Sequence, residues 1–200
     1  PQKGGRDDPS RYSLYHKGRC LYEDLCTDLL GAYQSKNLLT AIKAYEVLKE
    51  QGYSLTGQHL RDGLSRVAST TGFMGRWFIK QHRPLTILDT AHNEAGLALN
   101  LKELKKMGRG QLHFVLSFVN DKQLDSILQL FPLSAQYYFT KADIPRALDQ
   151  EVLAETAGRL GLRGSTHPTA RDALEAALQQ ACKDDLIYVG GSTFLVSELI

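Results

Sequence analysis

No stretch of the 200-residue sequence reads Gly-x-x-x-x-Gly-Lys-Ser/Thr, so the chain carries no phosphate loop of that type. The glycine pairs Gly4-Gly5 and Gly190-Gly191 lack the lysine that would have to follow. A Gly-x-Ser-x-Gly elbow is also missing, which excludes hydrolase chemistry built on that turn. Apolar runs fall short of the roughly 18 residues that a membrane-crossing helix needs, and the opening residues do not form a signal peptide. Cysteine is scarce: Cys20, Cys26 and Cys182 are an odd set without metal-ligand spacing, and read as reduced thiols of a cytoplasmic protein. Histidines and carboxylates show no convincing metal-ligand spacing either. Charge of one sign is lacking too. The 24 basic and 22 acidic residues are interspersed and leave a net charge of +2, with no basic stripe to meet a nucleic acid. The chain opens on Pro1 rather than methionine, in a segment rich in glycine, proline and charge, so a fragment of a longer protein is expected.

What is present has ordinary globular composition: 42% hydrophobic and 23% charged residues, enough to build a core. Alternation over residues 11–16 predicts a strand, paired with residues 19–25 across a turn at Lys17-Gly18. Over residues 35–50 the period changes. Leu38, Leu39, Ile42, Tyr45, Val47 and Leu48 mark a helix with one buried face, stopped near Gly52. A second helix is predicted over residues 57–67, capped by Thr56 and burying Leu60, Leu64 and Val67. The small polar run Ser69-Thr70-Thr71-Gly72 has the composition of a hinge and separates residues 1–74 from residues 75–200.

Beyond that run, strands and helices alternate. Strands are predicted at residues 77–80, 85–88, 112–118, 136–140, around Arg163, and at 186–189. Helices are predicted at residues 94–107, 122–130, 149–160 and 169–182, with a last one starting at Ser192. The alternation predicts an α/β fold with a Rossmann-like, mostly parallel sheet and right-handed crossovers. Ligands of such sheets sit beyond the carboxyl ends of the strands.

Several polar residues are placed at that edge. The run Leu85-Thr86-Ile87-Leu88-Asp89-Thr90-Ala91-His92-Asn93 is an apolar strand that ends on an acid and turns into a helix. Asp89 then either meets a ligand, for instance ribose hydroxyls, or shares with Asn93 the ordinary task of capping the helix. Gly75-Arg76 pairs a glycine that lets backbone approach closely with a guanidinium fork matched to phosphate oxygens; a solvated turn is the simpler reading. Asn37 falls in the first turn of the first long helix, where its amide either faces a purine edge or satisfies the helix end. Lys122 follows the strand at residues 112–118 and either neutralises a carboxylate or phosphate or opens a surface helix. Gly190-Gly191-Ser192 leads into the last helix, where its backbone donors hold an anion or its glycines serve close packing.

Taken in order, these segments resemble folylpolyglutamate synthase/dihydrofolate synthase, a branch of the Mur ligase superfamily. Leu30-Gly31-Ala32-Tyr33-Gln34-Ser35-Lys36-Asn37 is similar to the family's Leu-x-Gly-x-(His/Tyr)-Gln-x-x-Asn segment. Gly75-Arg76 is similar to the pair that opens its last domain, and Asp89-Thr90-Ala91-His92-Asn93 to its Asp-Gly-Ala-His-Asn box, with Thr90 in place of glycine. Asp121-Lys122 and Gly191-Ser192 complete the series. The resemblance implies that residues 1–74 are the end of a central ATP-binding domain and residues 75–200 a complete carboxy-terminal Rossmann-like domain. It implies an ATP- and Mg²⁺-dependent ligase that adds L-glutamate to folate or dihydropteroate through an acyl phosphate. Asn37 would face adenine, Arg76 the phosphates, Asp89 the ribose, His92 the nucleotide-facing edge, and Lys122 the incoming glutamate. The phosphate loop and most metal ligands would lie in an amino-terminal half outside this sequence, leaving the chain alone inactive. Another Mur-type amino-acid ligase of cell-wall synthesis and a non-catalytic Rossmann-like binding module are the competing readings.

Overall fold

A computed structural model describes residues 9–31, 33–108, 110–120 and 124–200. The chain divides into two units, Pro1–Met74 and Gly75–Ile200.

In the first unit, β1 (Ser10–His16) and β2 (Arg19–Thr27) form an antiparallel hairpin. Lys17 and Gly18 both have positive φ, the requirement of a tight two-residue turn that follows strand twist. Helix α1 (Gln34–Glu50) buries Leu38 and Ile42. Helix α2 (Gly57–Ser65) starts on a capping box, in which Thr56 and His59 each satisfy the other's backbone N–H, and buries Leu60 and Leu64. These side chains close on Leu25 with Tyr12, Leu14, Tyr22 and Tyr45 around them. The buried stripe is narrower than the sequence suggests: Leu39, Val47 and Leu48 are exposed.

The polar run at residues 69–72 is helical rather than a loop, and the boundary between the two units follows it at Met74 and Gly75. Helix α3 (Val67–Thr71) includes Ser69, Thr70 and Thr71, and Gly72 closes it in the left-handed conformation. The Asp28 carboxylate stabilises a helix of this composition by accepting the free N–H groups of Ala68 and Ser69, and the Thr70 and Thr71 hydroxyls are satisfied by donating to the carbonyls of Arg66 and Val67. Val67 accordingly belongs to α3 rather than to the end of α2.

The second unit holds a six-stranded sheet of order β3-β4-β8-β5-β6-β7. The strands are β3 (Phe78–His82), β4 (Leu85–Leu88), β5 (Leu112–Leu116), β6 (Gln136–Phe139), β7 (Gly164–Thr166) and β8 (Leu186–Gly190). Only β3 runs antiparallel, against β4; the other pairings are parallel. The last strand in sequence therefore occupies the centre, between β4 and β5. Alternate residues face opposite layers. Leu88, Val115, Tyr138, Ile187 and Val189 pack against α7 (Ala170–Gln180) and α8 (Thr193–Ser197). On the other face Phe114, Tyr137, Phe139 and Tyr188 form an aromatic layer. The Tyr188 hydroxyl there accepts a 2.9 Å bond from buried Asn100 of α4 (Glu94–Lys106). Helices α5 (Leu124–Leu128) and α6 (Gln150–Arg159) continue the layer of α4.

At the amino edge of the sheet a second buried acid organises the loops. Asp185 accepts N–H groups from Gln111 and Cys182, each at 2.7 Å, and lies 3.4 Å from Nε2 of buried His113. Nδ1 of His113 is 3.0 Å from the Tyr138 hydroxyl, which itself donates to Gln180. Burial lowers the His113 pKa from its usual 6.5, against the upward pull of Asp185. Burial alone would raise the Asp185 carboxyl, but the N–H groups of Cys182 and Gln111 and the His113 ring hold it below the usual carboxylate range.

In the unfolded chain His113 takes its proton near pH 6.5, above the value in the fold, so the unfolded state binds more protons in that window. Stability therefore falls as pH drops below about 6.5, until the folded ring protonates as well. The urea midpoint should decrease from pH 7 to pH 5, and His113→Gln should flatten that slope. Asp185→Ala should cost about 1–2 kcal/mol at neutral pH, because the part-buried N–H groups of Gln111 and Cys182 and the buried imidazole lose their acceptor.

Candidate functional site

The carboxyl edge of β4 is laced to its neighbours through backbone groups. Asp89 continues the ladder, its N–H donating to the Val189 carbonyl at 2.9 Å. Its side chain turns inward and is only 2% exposed. One carboxylate oxygen accepts the N–H of Trp77 at 2.7 Å, and the other accepts the N–H of Ala91 at 2.8 Å. Thr90 N–H donates to the Gly75 carbonyl at 2.7 Å, and Gly191 N–H donates to the Ala91 carbonyl at 3.1 Å. Three turns, at residues 75–77, 89–91 and 190–191, are thus joined around one acid.

The turn that carries Arg76 is made of unusual backbone. Gly75 has φ +88°, and Trp77 has φ +50° although it bears a large side chain. A Cβ at Gly75 would lie 3.1 Å from Thr90 Cγ2 and 3.3 Å from Val196 Cγ1. Trp77 tolerates the left-handed region because its ring is buried and its N–H is held by Asp89. Between the two, Arg76 projects into solvent. Among the described residues no carboxylate pairs with its guanidinium.

The alternatives at Asp89 and Asn93 resolve into two tasks. Asn93 caps α4, its Oδ1 accepting from Gly96 N–H at 2.9 Å, while Asp89 caps nothing and ties the turns together. His92 is exposed, with Nδ1 3.0 Å from the Thr90 carbonyl. A carbonyl only accepts, so this bond requires the proton on Nδ1. Arg76, Asp89 and His92 therefore lie on adjoining turns of one edge. Asn37 belongs to the first unit: it is exposed in the first turn of α1 and donates to Gln34 Oε1 at 2.9 Å. Lys122 lies outside the described residues. Among the described residues no group of three His, Cys, Asp or Glu side chains comes together as a metal site. Trp77 is the functional feature that motif reading passes over; its left-handed backbone and its bond to Asp89 leave no mark in composition or periodicity.

Residues 75–193 match the family described as Mur ligase, glutamate ligase domain. The chain belongs to that family. The matched span falls within the unit Gly75–Ile200, which holds the laced edge. The chain is 29% identical over 176 residues to a probable bifunctional folylpolyglutamate synthase/dihydropteroate synthase of Haloferax volcanii, covering 88% of this chain and 20% of that protein. It is 25% identical over 192 residues to the dihydrofolate synthase/folylpolyglutamate synthase of Bacillus subtilis, covering 94% of this chain and 43% of that one. Among solved structures, folylpolyglutamate synthase of Mycobacterium tuberculosis in complex with ADP and AMPPCP superposes with a TM-score of 0.73 at 30% identity, over 88% of this chain and 41% of that one. The chain thus spans less than half the length of each of these relatives.

Trp77 is the sole tryptophan and it sits against the latch, so its emission reports on the site. Asp89→Ala should shift that emission to the red and cost about 2 kcal/mol, because the buried Trp77 N–H and the half-buried Ala91 N–H lose their acceptor. Unchanged emission and an unchanged unfolding midpoint would show that the carboxylate does not organise these turns.

Proposed function

We propose that the chain is the carboxy-terminal part of an ATP-dependent ligase that joins L-glutamate to the carboxylate of a folate or of dihydropteroate. The observation that carries this reading is the Asp89 latch within the family-matched domain, which fixes the backbone on both sides of an exposed Arg76 that pairs with no carboxylate among the described residues. A guanidinium on a rigid turn suits the oxygens of a polyphosphate, because its fork of donors is presented with little further loss of freedom. The names of the relatives point to the folate branch rather than to cell-wall synthesis.

In this reading the unit Gly75–Ile200 is the Rossmann-like terminal domain, and residues 1–74 are the end of an ATP-binding domain whose phosphate loop lies upstream. Arg76 meets the phosphates. Asp89 serves the ribose side by fixing the turns beside it, and His92 completes the same edge. Asn37 takes the adenine edge and Lys122 the incoming glutamate. The three free thiols accord with a cytoplasmic protein.

The chemistry explains why these residue types serve. A carboxylate is a poor electrophile until one of its oxygens carries the γ-phosphoryl group; ADP then leaves, the amine of glutamate attacks the acyl carbon, and phosphate departs as the amine loses a proton. Negative charge gathers on the phosphoryl oxygens during transfer, and a positioned arginine offsets it. A divalent cation, Mg²⁺ in our reading, would neutralise the same oxygens. In keeping with the family resemblance, most of its ligands are assigned to the upstream half.

The test uses the protein expressed with its upstream coding region. With Mg²⁺-ATP, L-glutamate and tetrahydrofolate or dihydropteroate it should release ADP. Arg76→Ala should lower kcat/KM for ATP by about 100- to 1,000-fold, by analogy with loss of a positioned donor to a developing anion. The 200-residue chain alone should release none. ADP release by the isolated chain, or full activity in Arg76→Ala, would overturn the assignment.

A further inference from the structure

Arg76 follows directly on Gly75, a residue with no side chain of its own to hold it in place. Gly75 is buried and has φ +88°. A glycine has more backbone freedom to lose than any other residue, so neighbours must confine it. They do so from two sides. The position a Cβ would occupy lies 3.1 Å from Thr90 Cγ2, 3.3 Å from Val196 Cγ1 and 3.5 Å from Ile200 Cδ1. Val196 belongs to α8 and Ile200 follows that helix. Thr90 belongs to the turn after β4, and its N–H also donates to the Gly75 carbonyl at 2.7 Å. Arg76 therefore leaves the fold between a walled glycine and Trp77, whose N–H is held by Asp89.

Thr90 stands where the box described above carries glycine. Its φ is not positive, so the backbone of this turn accepts a side chain without strain. A glycine at position 90 would keep the N–H bond to Gly75 but leave one wall of the socket open. Two flexible residues would then face each other across a single hydrogen bond. A β-branched side chain closes that gap and is stiff about χ1, so its methyl group keeps its place. The methyl faces Gly75. The hydroxyl is the other group that Thr90 brings to this edge, and the two are separable, because serine keeps one and valine the other.

We propose that Thr90, through its γ-methyl group, is a positioning residue for Arg76: it walls Gly75 so that the guanidinium is presented from a fixed turn. This rests on the ligase reading given above, in which Arg76 meets the phosphates of ATP.

The test uses the protein expressed with its upstream coding region. Thr90→Gly should lower kcat/KM for ATP by about 10-fold, the combined scale of a lost methyl contact and a freed backbone. Thr90→Ser, which loses the methyl alone, should lower it by about 3-fold. Thr90→Val keeps the methyl and should retain most of the wild-type value. KM for L-glutamate should not change in any of the three. Because Thr90 acts through Arg76, Thr90→Gly should cost nothing further in an Arg76→Ala background. Wild-type protein that releases no ADP would remove the ligase reading and this inference together. With an active wild type, three results would each remove this inference alone. The first is full activity in Thr90→Gly. The second is an intact Thr90→Ser beside an impaired Thr90→Val, which would assign the role to the hydroxyl. The third is an equal loss from Thr90→Gly with and without Arg76.

Discussion

The carboxylate of Asp89 sits where three turns meet, with its oxygens bonded to the N–H groups of Trp77 and Ala91. Taking a carboxylate out of water is unfavourable unless hydrogen bonds replace the lost hydration, and two short backbone bonds supply that replacement. The constraint propagates in both directions along the chain. Toward the amino end it holds Trp77 in a left-handed conformation that a tryptophan would not otherwise adopt, and so determines where Arg76 emerges. Toward the carboxyl end it closes the turn from which His92 and the α4 cap at Asn93 follow. Position, rather than charge alone, is what this acid contributes to its neighbours.

Asp185 does comparable work at the other edge of the same sheet. It too gathers backbone N–H groups from two loops, those of Gln111 and Cys182, and adds a histidine. A Cβ at Gly110 would stand 2.3 Å from its Oδ1, so the loop around it closes only with a glycine. The two edges differ in what surrounds the acid. Around Asp185 the partners His113 and Tyr138 are buried and satisfy one another, which favours a role in stability. Around Asp89 the adjoining Arg76 and His92 are exposed. Parallel strands expose their loops at both ends; among the described residues the carboxyl edge sets the exposed Arg76 and His92 beside its buried anchor, in keeping with the usual ligand side of such sheets.

Much of this architecture was legible from periodicity. The strands of the second unit and the helices between them lie within a few residues of their predicted places, because short apolar runs and amphipathic stretches alternate clearly. The run at residues 69–72 misled, since serine and threonine signal loops unless something caps them, and the cap is Asp28, some 40 residues earlier. Long-range acceptors of that kind leave no local trace. The same limit applies to the site. The strand end at Asp89 was readable, but its choice of Trp77 N–H over a helix cap was not, because that choice depends on β3 and β4 pairing antiparallel.

The Gly190-Gly191-Ser192 turn shows how a suggestive motif separates into packing and function. A Cβ at Gly190 would lie 2.5 Å from the Tyr188 ring, and one at Gly191 would lie 2.7 Å from the Ser117 carbonyl, with φ +89° besides. Both glycines are therefore required by the protein's own atoms. Ser192 spends its hydroxyl on the N–H of Phe194, as the cap of a helix only five residues long. A phosphate-like ligand is not needed to explain any of the three. What the turn does supply is proximity: because its glycines let β8 end hard against the β5 loop, Phe194 comes close enough to stack under Arg146, while Gly191 N–H reaches Ala91 beside the Asp89 latch. The glycines serve the edge by letting the turn after β8 pack closely against its neighbours.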